Sequence, residues 1–228
     1  MYISFGSRKR AKKYKNIFVK KVEETIKKDG LTYTLTEIEK DCWLRLLNGS
    51  LRSKDPFHNP VVANVSGNLP VTRTVVLRKV FTAEKKLFFQ TDVRSCKWND
   101  LQQNDNTSWL FYDSAARLQI RTAGKSILHQ HDAIADAAWQ NTPAASRKIY
   151  MGEQSPSQKS SVPTSGLPEA FLKTNPTTEE SEVGRKNFAV VCTNVNWVEW
   201  LWLNSSGHKR AAFNYLPDNN FEATWIIP

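Results

Sequence analysis

The sequence predicts a mainly β fold, a closed β barrel of short strands carrying peripheral helices. Three observations lead there. Roughly eight or nine short runs rich in β-branched and aromatic residues are separated by turn residues. Helical patterning is confined to brief stretches between those runs. The chain has 228 residues, 40% of them apolar, which suits one domain whose core needs no disulfide or metal staple.

The elements follow in order. Residues 12–29 predict a short charged helix, broken at Gly30. A clearer helix starts near Thr34, where Thr34-x-x-Glu37 and Thr36-x-x-Glu39 both offer a capping box. Leu35, Ile38, Cys42 and Leu46 form its apolar stripe, so Cys42 reads as a core residue, and Asn48-Gly49 is expected to end the helix. Strands are expected over 61–65, 72–80, 86–91, 108–113 and 118–129, with a helix over 94–104 interrupting them. Two helical stretches, 131–141 and 144–153, precede a long surface loop over 154–185 with a short helix near 168–173. The last strands are expected over 187–194, 197–203, 208–215 and 221–227.

Charge separates the chain into two parts. The net charge is +10, but residues 1–30 hold ten Lys or Arg against three Asp or Glu. This divides the chain into a basic N-terminal extension, 1–30, and a single domain, 31–228. The basic run reads as a solvated tail, so nucleic acid is not an expected partner. No run is apolar enough to span a membrane and no secretory leader is visible, and three widely spaced cysteines offer no disulfide framework. A cytoplasmic, reducing location is expected.

Several chemistries lack their motifs. Neither Gly-x-Gly-x-x-Gly nor a Walker loop is present, and no Cys/His cluster has metal-ligand spacing. Gly-x-Ser-x-Gly is absent as well. What remains is a set of anion-binding residue types at strand ends and turns: Arg73, Arg78, Thr91, Arg94, Ser95, Lys97 and, further on, Gln119. Arg73 and Arg78, five apart on one expected strand, should point to opposite faces. Ser95 and Lys97 open an expected helix, whose backbone donors favour anions. The same residues can also be read as ordinary polar groups flanking a sheet.

The order of these segments resembles the pyridoxamine 5'-phosphate oxidase-like family of FMN-binding split barrels, in a divergent flavoprotein branch. The resemblance covers roughly residues 31–228. Arg73-Thr74-Val75-Val76-Leu77-Arg78 is similar to the family's Arg-x-Val-Leu-Leu-Lys strand, which holds the FMN phosphate and flanks the ring. Gln90-Thr91 and Ser95-Cys96-Lys97 are similar to segments that grip phosphate and ribityl, and Gln119 to a glutamine supplied across a dimer. Gln154-Ser155, Val198-Glu199-Trp200, His208-Lys209-Arg210 and the closing Trp225-Ile226-Ile227-Pro228 follow in family order. The resemblance implies an FMN-dependent oxidoreductase acting on a small-molecule substrate, a homodimer with flavin at the interface, and FMN contacts from Arg73, Thr74, Val75, Val76, Arg78, Gln90, Thr91, Arg94, Ser95, Lys97, Gln119, Gln154, Ser155 and Arg210. A non-catalytic flavin or haem binding or storage protein is the alternative.

The departures fall mostly on the substrate half. Arg78 stands where the family has lysine and Cys96 where it has arginine, so Arg94 is expected to take over part of the phosphate clamp. Cys96 itself reads as a small filler. The family's Tyr-x-x-x-Arg-x-x-x-Ser segment, which binds substrate phosphate, reads Ala138, Thr142 and Ser146 here and keeps only the serine. Substrate contacts are expected from Arg78, Trp139, Ser146 and His208, with Trp139 as a pocket wall. Most strand tryptophans read as barrel packing.

Overall fold

The stripe of the first helix and the alternating strands each present an apolar surface, and the computed structural model buries both in one core. It describes residues 25–28, 30–217 and 220–228. The expected helix over 12–29 is overturned where it can be seen. There β1 (Ile26–Lys28) pairs antiparallel with β2 (Leu31–Tyr33), while residues 12–24 lie outside the described residues. Gly30, at φ +81°, supplies the left-handed turn between them. Ile26 packs against the main core, so this hairpin straddles the boundary drawn at residue 30.

Helix α1 (Leu35–Leu51) begins as expected, with Thr34 as its N-cap. The Glu37 amide donates to Thr34 Oγ1, and the Glu37 carboxylate accepts from the Thr34 amide. The second candidate box is unused, because Glu39 is buried and accepts from Lys85 Nζ at 2.7 Å and Tyr215 OH at 2.6 Å. The helix runs past Asn48-Gly49 to Leu51. Gly49 is there for packing rather than termination: a Cβ would stand 2.8 Å from Phe57 Cβ.

The sheet is built from β3 (Val61–Ser66), β4 (Leu69–Thr74), β5 (Lys79–Phe81), β6 (Lys86–Asp92), β7 (Asn106–Asp113), β8 (Leu118–His129), β9 (Phe188–Trp202), β10 (Lys209–Tyr215) and β11 (Phe221–Ile226). All pairings are antiparallel, in the order β11-β10-β9-β8-β7-β3-β4, with β6 joining β9 to β5. The pairings among the described strands do not close a ring, so the closed barrel is corrected to a split one. The single strand expected over 72–80 is also corrected. After Thr74 the chain leaves β4, Leu77 N–H donates to His58 O, Arg78 N–H donates to Phe88 O, and β5 follows. Arg73 and Arg78 therefore belong to different elements.

The two strands expected at 187–194 and 197–203 are one continuous β9. On one side it pairs with β8 from Val190 to Trp202. On the other it pairs first with β6, through Phe188–Asn194, and then with β10, through Trp197–Trp202. A bulge between Ala123 and Gly124 of β8 sits opposite this change of partner. Gly124 is required there, since a Cβ would stand 2.0 Å from Asn194 O.

Alternation along β6 divides the interior. Leu87 and Phe89 join Ile38, Cys42, Trp43 and Leu46 of α1 and Trp109 and Phe111 of β7 in the main core. Phe88 points the other way, into a second cluster with Phe188, Val190 and Cys192 of β9. Helices α3 (Ala133–Gln140) and α4 (Ala144–Arg147) flank that cluster, which takes in Trp139 and Tyr150. The long connection over 154–185 holds a 3-10 turn at Glu169–Phe171 and a short α5 (Thr178–Ser181). Helix α2 (Cys96–Gln103) lies between β6 and β7.

Candidate functional site

Cations, hydroxyls and a helix start converge where β4, β6 and α2 meet. Thr91, near the end of β6, is buried, and its Oγ1 accepts from Lys97 Nζ at 3.1 Å and lies 3.3 Å from Ser95 Oγ. Ser95, the buried N-cap of α2, donates through Oγ to Asp92 O at 2.7 Å. Arg73 reaches the same place from β4, with Nη1 donating to Asn64 Oδ1. Burial depresses the Lys97 amine below its ordinary range, and the neighbouring Arg73 charge adds to the effect. Burial likewise lowers the Arg73 guanidinium. Two cations held by neutral partners beside buried hydroxyls have the chemistry to take a phosphate dianion.

One contributor was not visible beforehand. Asn64 Oδ1 accepts from Arg73, while its Nδ2 donates to Asp100 Oδ2 at 3.2 Å; Ser66 Oγ donates to Asp100 Oδ1 at 2.8 Å. Asn64 and Asp100 thus orient Arg73 from β3 and α2. The available signal was a lone asparagine at an inward register position of an apolar strand.

Other expected residues lie elsewhere. Arg94 turns from the cluster: Nε and Nη2 donate to the Asp92 carboxylate, and Nη1 to Gly152 O at 2.7 Å. Gln154 and Ser155 follow that carbonyl in an exposed loop. Thr74 is exposed, and Val75 and Val76 are half-buried on the link toward β5. Cys96 is exposed at the start of α2, which overturns its reading as a filler.

A cavity of about 630 Å³ opens between β5, β6 and α3, lined by Arg78, Lys79, Gln90 and the Ala137 and Ala138 face of α3. Gln90 Nε2 donates to Thr142 Oγ1 at 2.8 Å, and Gln90 Oε1 is buried without a hydrogen-bond partner. Trp139 is not its wall, which corrects the sequence expectation. It faces away from the cavity, stacks edge-on against Phe188 at 5.1 Å, and its Nε1 donates to Glu182 at 3.0 Å. The largest apolar side chain of α3 goes to the closed side, leaving Ala133, Ile134, Ala137 and Ala138 toward the cavity. Arg147 packs over the Trp139 ring and donates to Thr142 O, Ser181 and Glu182, whereas Ser146 is half-buried on α4.

The remaining expected residues occupy the far end of β9. Leu201 pairs with both Gln119 of β8 and Arg210 of β10. Val190, opposite Gln90, is eleven residues away, roughly 35 Å along the strand. There Arg121 and Arg210 both donate to the buried Glu199 carboxylate. Burial works to raise that carboxyl, but the hydrogen bonds from Arg121 and Arg210 outweigh it and hold the group below 4.5. His208 and Arg210 line a second cavity of about 530 Å³ with Lys27 and Trp225.

Comparison with known proteins gives a consistent result. Residues 40–130 match the family described as pyridoxamine 5'-phosphate oxidase, FMN-binding domain. A Caenorhabditis elegans protein named as a candidate pyridoxamine 5'-phosphate oxidase is 33% identical over 124 residues, which is 54% of this chain and 53% of that protein. The match thus spans about half the length of that relative. A pyridoxamine 5'-phosphate oxidase-related, FMN-binding protein from Nostoc punctiforme has a solved structure with 25% identity and a TM-score of 0.66, covering 83% of this chain and 97% of that one. PhzG from Burkholderia lata, solved with tetrahydrophenazine-1-carboxylic acid, shares the fold at 15% identity and a TM-score of 0.61, over 83% and 90% of the two chains. On a split-barrel fold, residues 40–130 are thus similar to the FMN-binding domain of pyridoxamine 5'-phosphate oxidase.

Proposed function

We propose that this chain is an FMN-dependent oxidoreductase related to pyridoxamine 5'-phosphate oxidase, with a substrate site of its own. The observation that carries the reading is the Arg73 and Lys97 pair, two partly buried cations whose hydrogen-bond partners, Asn64 and Thr91, are neutral. In this reading Arg73, Thr91, Ser95 and Lys97 hold the FMN phosphate. The link through Thr74, Val75 and Val76 flanks the ring, with Arg78 and Gln90 on the cavity side. Arg94 braces the loop that presents Gln154 and Ser155. Bound FMN would supply two-electron redox chemistry that no side chain offers.

Gln119 and Arg210 stand too far along β9 to join Thr91 within one chain. A second copy brings them to the phosphate end, so the working unit is a homodimer with His208 beside its Arg210. The three free cysteines suit a reducing, cytoplasmic setting. Because the β1–β2 hairpin packs on the core, the dispensable basic extension ends before Thr25 in this reading.

Copurified or added FMN should give the protein flavin absorbance, and a colourless protein that gains none overturns the reading. Anaerobic bleaching of the bound flavin by candidate substrates then separates an oxidoreductase from a flavin carrier. Haem in place of flavin would instead give a Soret band.

A further inference from the structure

We propose that the cavity between β5, β6 and α3 binds an apolar ring compound carrying one carboxylate, read by Arg78 and Lys79. The inference rests on the flavoprotein reading only in taking this cavity as the substrate's place. Its volume of about 630 Å³ falls in the range of small-molecule sites. The floor is apolar: Phe88 and Val190 are buried there. At the mouth, Phe81 and Ile134 remain 37% and 45% exposed, apolar surface that a bound ring would cover. Phe81 stands edge-on to Phe88 with centroids 5.4 Å apart, a corner that favours edge and offset contacts with a third ring.

Charge decides what the ring must carry. Both lining cations, Arg78 and Lys79, are exposed, and Lys79 Nζ lies 4.5 Å from the Phe81 centroid. The neighbouring segment adds no third cation, since Arg147 is buried and bonded to Thr142 O, Ser181 and Glu182. A phosphate dianion would find no buried cation here. A single carboxylate at the rim matches the fork of one arginine and leaves the rest of the molecule to the apolar floor. At the back, Gln90 Oε1 lacks a hydrogen-bond partner, which a ring N–H would provide.

Calorimetric titration of the full chain, with and without FMN, tests this with indole-3-carboxylate, indole-3-carboxamide and pyridoxine 5'-phosphate. The carboxylate should bind about tenfold more tightly than the carboxamide, as expected for one charge-assisted contact. Arg78→Gln combined with Lys79→Gln should bring the two to parity. Phe81→Ala should weaken both ligands equally and keep the preference, and all three residues are exposed enough for these variants to fold. Equal affinity for acid and amide, no binding of either, a preference that survives the double variant, or tighter binding of pyridoxine 5'-phosphate would each overturn the proposal. Carboxylate binding without FMN binding would sink only the flavoprotein reading, whereas FMN binding without the carboxylate preference would sink only this one.

Discussion

At the β6 end of β9, Arg73 and Lys97 are hydrogen-bonded to an amide and a hydroxyl. At the β10 end, Arg121 and Arg210 converge on the carboxylate of the buried Glu199. A cation whose partner is neutral keeps its field for a ligand, and burial makes its charge costly until an anion arrives. A cation facing a buried carboxylate has its field largely compensated and instead ties β8, β9 and β10 together. Cations gathered at the two ends of β9 thus do different work, and the partner decides which.

Four perturbations break or sharpen that contrast. The largest effect is expected at the bulge between the two ends. Gly124→Ala would drive a Cβ into Asn194 O, and should cost about 3 kcal/mol in chemical denaturation. Next, Arg73→Ala removes a charged hydrogen bond of roughly 1.5–3 kcal/mol, so FMN affinity should fall about 10- to 100-fold. Riboflavin affinity, followed by the same fluorescence quenching, should hardly change, and equal losses would refute the phosphate role.

Glu199→Gln should cost about 1–2 kcal/mol at neutral pH, because the two arginines that lose their charge partner can still reach water. The wild-type carboxyl is depressed, so its stabilisation is present above 4.5 and lost as pH falls through its lower folded value. Acid melting curves should show that loss in the wild type and lack it in the variant. The smallest effect concerns Lys97, whose amine is depressed below 10.5. Its charged form is disfavoured in the unliganded fold, so stability is gained as pH rises from the depressed value toward 10.5. FMN affinity should move the other way, falling a few-fold as the amine deprotonates, and Lys97→Arg should hold it to higher pH.

Local patterns were the legible part. Thr34 and Glu37 announced α1, and the stripe through Ile38, Cys42 and Leu46 is the face it buries. Thr91, Ser95 and Lys97 were readable as a group because they lie within seven residues across one turn. Asn64 escaped because its partner Asp100 is 36 residues away and comes from another element. Trp139 and Cys96 were misplaced for a shared reason. Spacing puts a residue on a helix, but only packing decides which face turns inward.

Residue order by itself determined the β class, the helix starts and the family likeness, all of which rest on neighbours in the chain and on the turns between them. The tertiary structure decided the rest. It joined the strands expected over 187–194 and 197–203 into the single β9, split the expected strand between Arg73 and Arg78, and set Gln119 and Arg210 far from Thr91. Those outcomes depend on which strands share hydrogen bonds, and that pairing is settled by the competition of the whole sheet for one core.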